Sequence, residues 1–312
     1  MSTVHDIVTA AISSILLEVS ATPKPGNVHR YHDFPDTKYE HFVVSAASMH
    51  KPLMDLASRT YHKVAKGEIS KLDIGKFIFE CVSYAKKWYV GGNTNLGTST
   101  IFSIEVPALI CAKSLSETYD PKEVSSWATR IAEKTTVEDA IFFYKAIRMA
   151  NPSYLGRVSE APIPDVFDSL FEKKLKESGK TLWDVWKHSS SWDIVSENCI
   201  SGLKIVVEGF YAIDKYLSIL RNWNLAIISA YLELLSKYRD SLVLRKHGEK
   251  VQEEVSRKAK EVLNALISDV EEGLVLLRRF DEELYRRKIN PGSIADIIAG
   301  SIMLALLNNL RP

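Results

Sequence analysis

Four breaks in the sequence, rich in Gly, Pro or polar residues, carry side chains that could bind a phosphorylated ligand. The first break reads TPKPGNVHRYHD from Thr22 to Asp33 and directly follows the first predicted helix. Its two prolines stiffen the backbone and Gly26 permits a tight bend, so Lys24 is fixed between the prolines. A cation held in this way suits a phosphate; the alternative is a rigid connector with an incidental charge.

The second break is glycine-rich and reads GGNTNLGTST over 91–100, before an apolar run typical of a helix. Glycines expose backbone N–H groups, and the N-terminus of the following helix adds the positive end of its dipole. Asn93, Thr94 and Asn95 could therefore hold a phosphate, a ribose or a metal-bound water. The segment is neither a Walker A loop nor a GxGxxG motif, and an ordinary capped turn between helices is the alternative.

The third break carries carboxylates and extends from Glu138 to Asp165, with most of its Pro and Gly between 151 and 166. These carboxylates could bind Mg²⁺, which takes one or two of them and shares its other positions with substrate phosphates. The alternative is structural. Glu138 and Asp139 fall in a predicted first helical turn, where the dipole favours acids, and Asp165 has the position of an N-cap.

The fourth break, over 238–248, ends in a basic cluster of Arg245, Lys246 and His247 just before Gly248. A basic cluster can bind phosphate, but it is also what the dipole and the capping preferences at a helix C-terminus produce.

Motifs of hydrolytic and zinc enzymes are missing from the sequence: it contains no GxSxG and no HExxH. His29 and His32 are spaced i,i+3, but no Cys and no third His lies near them in the sequence. We therefore do not expect a zinc site.

The composition excludes several classes of protein. The chain has 312 residues, 46% of them apolar and 25% charged, with a net charge of +1, so neither a disordered chain nor a nucleic-acid-binding or membrane-surface protein is expected. Its three cysteines form no CxxC, and the start MSTVHDIV lacks the basic region of a signal peptide. We expect a cytoplasmic protein that neither spans nor binds a membrane.

Helices must position the four breaks, because the apolar spacing is helical almost everywhere and strand signals are nearly absent. Four stretches show this spacing: 7–19, 203–220, 226–238 and 251–277, the last over eight turns. Capping boxes are predicted at Thr135–Glu138 and at Ser293–Asp296. The sequence predicts an all-α, single-domain bundle of roughly ten or more helices over 1–312, with 172–198 as a possible insertion.

The motifs TPKPG, GGNTNLG, DSLVLR at 240–245 and NPGSIAD at 290–296 occur in one order that resembles the triphosphoribosyl-dephospho-CoA synthase family. The resemblance covers roughly 10–310 and implies an all-helical enzyme that joins ATP to 3′-dephospho-CoA with loss of adenine. The sequence departs from the family pattern after PKPG, where an Asp and a Gly-Ala-His are expected, and at Asn95, where a His is common. It therefore resembles a divergent branch of the family.

The resemblance implies that ATP is a substrate, that Mg²⁺ is a cofactor and that the other partners are small-molecule nucleotides. A homodimer is possible. The resemblance also implies roles for particular residues. Asp33, His32 and Asp139 are the catalytic candidates, Asp139 and Asp165 the Mg²⁺ ligands, and Asp296 a second-tier candidate. The substrate-binding candidates are Lys24, Asn93, Thr94, Asn95, Gly97, Arg245 and, in the second tier, Asp240. A different acceptor, an N-glycosidic hydrolase and a non-catalytic nucleotide-binding protein are the alternatives on the same scaffold.

Overall fold

The computed structural model describes residues 2–150 and 162–312, and in these residues the backbone forms sixteen α-helices. The all-α prediction is therefore confirmed. The helices are α1 Ser2–Ser20, α2 Tyr39–Ser48, α3 His50–Val64, α4 Ile74–Ala85, α5 Leu96–Ser116, α6 Pro121–Glu133, α7 Val137–Ala150, α8 Phe171–Ser178, α9 Leu182–Ser189, α10 Ile194–Ile200, α11 Lys204–Leu220, α12 Trp223–Lys237, α13 Ser241–His247, α14 Glu249–Ser268, α15 Val270–Arg286 and α16 Gly292–Leu307. Most of the third predicted break, residues 151–161, lies outside the described residues.

Two helices form the centre of the bundle, because they are apolar on every side and so must be surrounded. Every residue of α5 from Thr98 to Ala112 is buried, and α16 is buried almost throughout. Helices α1, α11 and α12 pack on α16, while α3, α4 and α6 pack on α5. The central pair thus fixes the start of α5, where the glycine-rich break ends, against the start of α16.

The helices predicted from periodicity are present at α1, α11 and α12, but the stretch 251–277 is two helices. The chain is extended at Asp269, whose side chain accepts hydrogen bonds from the N–H groups of Glu271 and Glu272 and so caps α15. Both helices keep the same apolar spacing, which explains why periodicity alone did not reveal the break.

Neither predicted capping box forms where it was predicted. The box before α7 pairs Thr136 with Asp139, one residue later than predicted. At the start of α16 no box forms between Ser293 and Asp296. Pro291 precedes the helix, and Asp296 instead accepts hydrogen bonds from Thr98 of α5.

The segment 172–198, predicted as a possible insertion, contains α8, α9 and most of α10. These helices pack on α7, α5 and α6, and Leu175, Leu182 and Trp186 are fully buried in the main core. The segment therefore builds one wall of the bundle, while the single-domain organisation itself stays a prediction.

Two helices, α1 over Thr3–Ser20 and α5, are long and apolar enough to cross a membrane by length and composition. However, 83% of the apolar window of α5 and 50% of that of α1 are buried inside the protein. The core helix of a soluble protein passes the same test of length and composition. This is weak evidence for a membrane span, and the predicted absence of membrane binding stays a prediction.

The cap at Asp269 gives a stability prediction. Asp269→Ala should lower the free energy of unfolding by about 0.5–2 kcal/mol, since the first N–H groups of α15 lose their acceptor. Asp269→Asn is the matched control, because asparagine caps a helix as well as aspartate does. Urea unfolding of the three proteins measures the difference, and equal losses in both variants would contradict the capping role.

Candidate functional site

A cavity of about 240 Å³ lies where α5, α7, α9, α10, α13 and α16 meet the segment 163–166. It brings together residues from the second, third and fourth predicted breaks and from α16, but none from the first break. The polar residues that line it include Asn93, Gly97, Asp165, Asp193, Arg245 and Asp296, and the apolar ones include Phe143, Ile147, Ile163, Val185 and Trp192. The cavity is thus polar towards α5, α13 and α16 and apolar towards α7.

The glycine-rich break presents Asn93 to the cavity and turns its other polar side chains inward. Asn93 Oδ1 accepts the N–H groups of Asn95 and Leu96 and so caps α5. Asn95 donates to the carbonyl of Cys81, and the hydroxyl of Thr94 lies 2.6 Å from that of Tyr89. Thr94 and Asn95 are buried and hold the loop, whereas they were predicted to contact the substrate.

Asp296 of α16 places its carboxyl group against the end of the glycine-rich break. Its Oδ1 accepts the backbone N–H of Thr98 at 3.0 Å and also the Thr98 hydroxyl. Oδ2 lies against Gly97 so tightly that a Cβ at that position would come within 2.0 Å of it, so residue 97 must be glycine. Burial raises the pKa of this carboxyl to about 7, which leaves it part protonated near neutral pH.

Arg245 reaches the cavity from α13, where its Nη1 lies 3.5 Å from Asp193 Oδ1. The other oxygen of Asp193 caps α10 through the N–H and hydroxyl of Ser196. Because the contact between the two side chains is long, an anionic ligand could compete with Asp193 for the guanidinium group.

Asp165 lines the cavity but is not a helix N-cap, since α8 begins only at Phe171. Its Oδ1 accepts the N–H of Phe167 at 2.7 Å in a local turn. The turn is fixed to α7 by the hydroxyl of Tyr144, which donates to the carbonyl of Pro164. A carboxylate on an anchored loop fits the donor set that Mg²⁺ shares with a phosphate, and Arg245 lines the same cavity.

Lys24 does not reach the cavity, contrary to its predicted role in phosphate binding. It is fully buried, forms an ion pair with Glu18 of α1, and donates to the Glu18 carbonyl at 2.9 Å. Burial lowers the pKa of Lys24 and raises that of Glu18. The lysine therefore neutralises a buried carboxylate instead of meeting a ligand.

Asp240 also has a structural role where substrate binding was predicted. It is fully buried; its Oδ1 caps α13 and its Oδ2 accepts the N–H of Ile294 at the start of α16. Burial raises the pKa of this carboxyl to about 6. Asp240 thus fixes Arg245 and Asp296 relative to each other without lining the cavity.

Asp139, predicted as a catalytic residue and a metal ligand, is buried at the start of α7. Its Oδ1 accepts the N–H of Gly75, and its Oδ2 accepts both the N–H and the hydroxyl of Thr136. Oδ1 thus joins α4 to α7 and Oδ2 caps the start of α7, so both oxygens of Asp139 have structural partners.

The predicted catalytic residues His32 and Asp33 lie after the PKPG motif and do not line the cavity. Asp33 is exposed and accepts the N–H of Tyr39. The ring of His32 stacks on Tyr285, and its Nδ1 lies 3.0 Å from Asp281 Oδ2. His32 therefore belongs to a separate cluster with Asp281, and Asp33 caps the start of α2.

Sequence reasoning missed Asp281 and the importance of Asp296 and Glu18. All three are acids within apolar helical patterns. Asp281, for example, follows Leu277 by four residues and precedes Leu284 by three, and it is buried with both. An acid at such a position is the signal that would have identified a functional or pairing role, because an unpaired carboxylate is too costly to bury there.

The chain matches a known protein family and is similar to solved structures. Residues 4–312 match a family described as ATP:dephospho-CoA triphosphoribosyl transferase. Among solved structures, the chain is similar to an Archaeoglobus fulgidus protein provisionally described as a triphosphoribosyl-dephospho-CoA synthase, with 21% identity and a TM-score of 0.59 over 86% of this chain and 100% of that one. At this identity the structural likeness establishes the fold alone. No curated protein sequence matches the chain.

The Glu18–Lys24 pair gives a second stability prediction. Lys24→Met should lower the free energy of unfolding by about 3–5 kcal/mol, because Glu18 is left as a buried unpaired carboxyl. The double variant Glu18→Gln with Lys24→Met should recover much of this loss, and Lys66→Met, at an exposed lysine, should cost almost nothing. Urea unfolding measures the free energy of unfolding of each variant. A loss below about 1 kcal/mol in Lys24→Met would show that the Glu18–Lys24 pair is not needed for stability.

Asp296 gives a pH prediction. Its folded pKa of about 7 lies above the ordinary value of 3.8, so the folded protein keeps a proton that the unfolded chain releases. The contribution of this proton to the free energy of unfolding is complete below about pH 4 and is lost as the pH rises towards about 7. Over this range the free energy of unfolding falls by at most about 1.4 kcal/mol per pH unit. Asp296→Asn should flatten this slope in urea unfolding, whereas Asp33→Asn, at an exposed carboxyl, should keep it. An unchanged slope in Asp296→Asn would contradict the assignment.

Proposed function

The chain belongs to the family of ATP:dephospho-CoA triphosphoribosyl transferases, and we propose that it moves the triphosphoribosyl group of ATP to 3′-dephospho-CoA, with release of adenine, in the cavity described above. The protein is a transferase by its family. One observation supports the location: a single cavity collects the cation Arg245, the carboxyl groups of Asp165 and Asp296 and the start of α5 beside an apolar wall.

The polar side of the cavity suits the triphosphate. Arg245 can make two parallel hydrogen bonds to phosphate oxygens once they replace Asp193. Asn93 and Gly97 lie at the N-terminus of α5, where the helix dipole favours negative charge. Asp165 would hold Mg²⁺ together with the phosphates, and the ion would neutralise part of their charge.

The apolar side suits the adenine ring. Phe143, Ile147 and Trp192 offer the flat and aliphatic surface on which a purine base packs. At about 240 Å³ the cavity is smaller than the roughly 300–1,000 Å³ of most small-molecule sites, so we place the base and ribose inside it and the acceptor at its mouth.

The reaction forms a bond from an acceptor hydroxyl oxygen to C1′ of the ATP ribose and breaks the bond from C1′ to the adenine nitrogen. The hydroxyl loses a proton and the leaving adenine gains one. Asp296 has a pKa close to neutral, which is the best value for a group that transfers protons at neutral pH. We assign the protonated Asp296 as the acid that assists adenine, while the acceptor hydroxyl at the mouth of the cavity releases its proton to solvent water.

The remaining predictions concern the surroundings of the enzyme. We propose a cytoplasmic location, which agrees with three buried cysteines that form no disulfide. The predicted homodimer stays a prediction.

The proposal is tested by incubating the protein with ATP, Mg²⁺ and 3′-dephospho-CoA and measuring free adenine and the coupled product by mass spectrometry. Asp296→Asn should lower kcat by about 10²–10⁴-fold, as expected for loss of a general acid. Asp165→Asn should raise the Mg²⁺ concentration needed for half-maximal rate by about tenfold or more. Asp168→Asn, at a nearby carboxylate that pairs with Lys174, is the matched control and should leave both values unchanged.

The outcomes separate the alternatives. Adenine released without any acceptor would indicate an N-glycosidic hydrolase. ATP binding without turnover for any acceptor would indicate a nucleotide-binding protein. The absence of both adenine release and ATP binding, the latter measured by calorimetry, would refute the proposal.

A further inference from the structure

A second cluster of side chains lies outside the cavity, where the turn after the PKPG motif meets α15. His29 and His32 exchange two backbone hydrogen bonds across a tight turn, which brings their imidazole rings together. Asp281 Oδ2 lies 3.0 Å from His29 Nε2 and 3.0 Å from His32 Nδ1. The three atoms lie within 4.8 Å of one another, so one ion could contact all of them after a small adjustment.

Hydrogen bonding does not satisfy this cluster. His29 Nε2 forms a hydrogen bond with Asp281, but His32 Nδ1 is buried and has no hydrogen-bond partner despite its short distance to the same oxygen. A buried imidazole nitrogen without a partner costs free energy, so its position needs a reason. A cation between the three atoms would satisfy both nitrogens and the carboxylate.

The groups behind the cluster match those that orient metal ligands. Thr22 Oγ1 lies 3.0 Å from His29 Nδ1. When Nδ1–H donates to this hydroxyl, Nε2 keeps its lone pair for a metal ion. The longer hydrogen bond from the Tyr31 N–H to Nδ1 is then lost. Glu282 Oε2 lies 3.8 Å from His32 Nε2, within reach after a rotation of its half-exposed side chain. Asp281 Oδ1 is held by the N–H of Gly26, which leaves Oδ2 pointing at the histidines.

We propose that His29, His32 and Asp281 bind a first-row divalent transition-metal ion, with Zn²⁺ as the best fit. Two imidazole nitrogens with one carboxylate oxygen suit Zn²⁺, whereas Mg²⁺ and Ca²⁺ prefer oxygen alone. The edge of His32 is 21% exposed, which gives the ion an entry path and room for water as a further ligand. Local spacing does not indicate zinc, because the third ligand comes from α15, far along the chain.

The bound ion would link the turn at 29–32 to α15 beside the Glu18–Lys24 pair. This site is separate from the cavity and does not rest on the proposed transferase activity. Metal binding and adenine release can therefore succeed or fail independently.

The test is a titration of the metal-free full chain with Co²⁺, followed by its visible absorption and by displacement with Zn²⁺. We expect one Co²⁺ per chain with the intense bands of a four- or five-coordinate ion. His32→Gln should weaken binding by more than about tenfold, and His62→Gln, at an exposed histidine of α3, should leave it unchanged. Equal affinity in both variants, or no saturation with Co²⁺, overturns the proposal.

A second measurement needs no variant. Zn²⁺ should protect His32 of the wild-type chain from diethylpyrocarbonate while the exposed His62 continues to react, as located by peptide mass spectrometry. Equal labelling of His32 with and without Zn²⁺ overturns the proposal even if the His32 variant fails to fold.

Discussion

The arrangement of the bundle depends on buried carboxylates that accept backbone N–H groups from distant segments. A protein built from helices leaves N–H groups without partners at every helix start and in the loops between helices. Asp240 accepts from Ile294, Asp296 from Thr98, and Asp281 from Gly26. Each contact joins two segments that apolar packing alone would not hold in register. A substitution at one of these acids therefore loosens a loop as well as a side chain.

Much of the fold could be predicted from the sequence, because apolar spacing reports on each helix separately. The helices α1, α11 and α12 follow from that spacing. The break at Asp269 could not be predicted in this way, because α14 and α15 have the same apolar spacing on both sides of it. The caps were missed for a related reason: Asp296 has the spacing of a capping residue, but its partner is Thr98, almost two hundred positions away in the chain.

The candidate site could be predicted only in part. Asn93, Gly97, Asp165 and Arg245 line one cavity, as their clustering at helix breaks indicated. A break in a helical pattern predicts exposure, however, and Lys24 shows the limit of that rule, because it turns inward to meet Glu18. Residue type and local spacing do not specify which charges pair across the bundle. That information lies in the packing of α1 against α16, which brings acids from both helices close together.

The pairing also links the core to the proposed chemistry. Glu18 and Asp240 both raise the pKa of Asp296 through their negative charge, in addition to the effect of burial. Lys24 opposes this by neutralising Glu18, so it acts on the cavity carboxyl although it does not line the cavity. If the lysine were replaced, Asp296 would lose a neighbouring positive charge and hold its proton to higher pH. The PKPG motif would then influence the proton affinity of the proposed acid from inside the core, which gives a physical reason for a rigidly placed lysine that does not line the cavity.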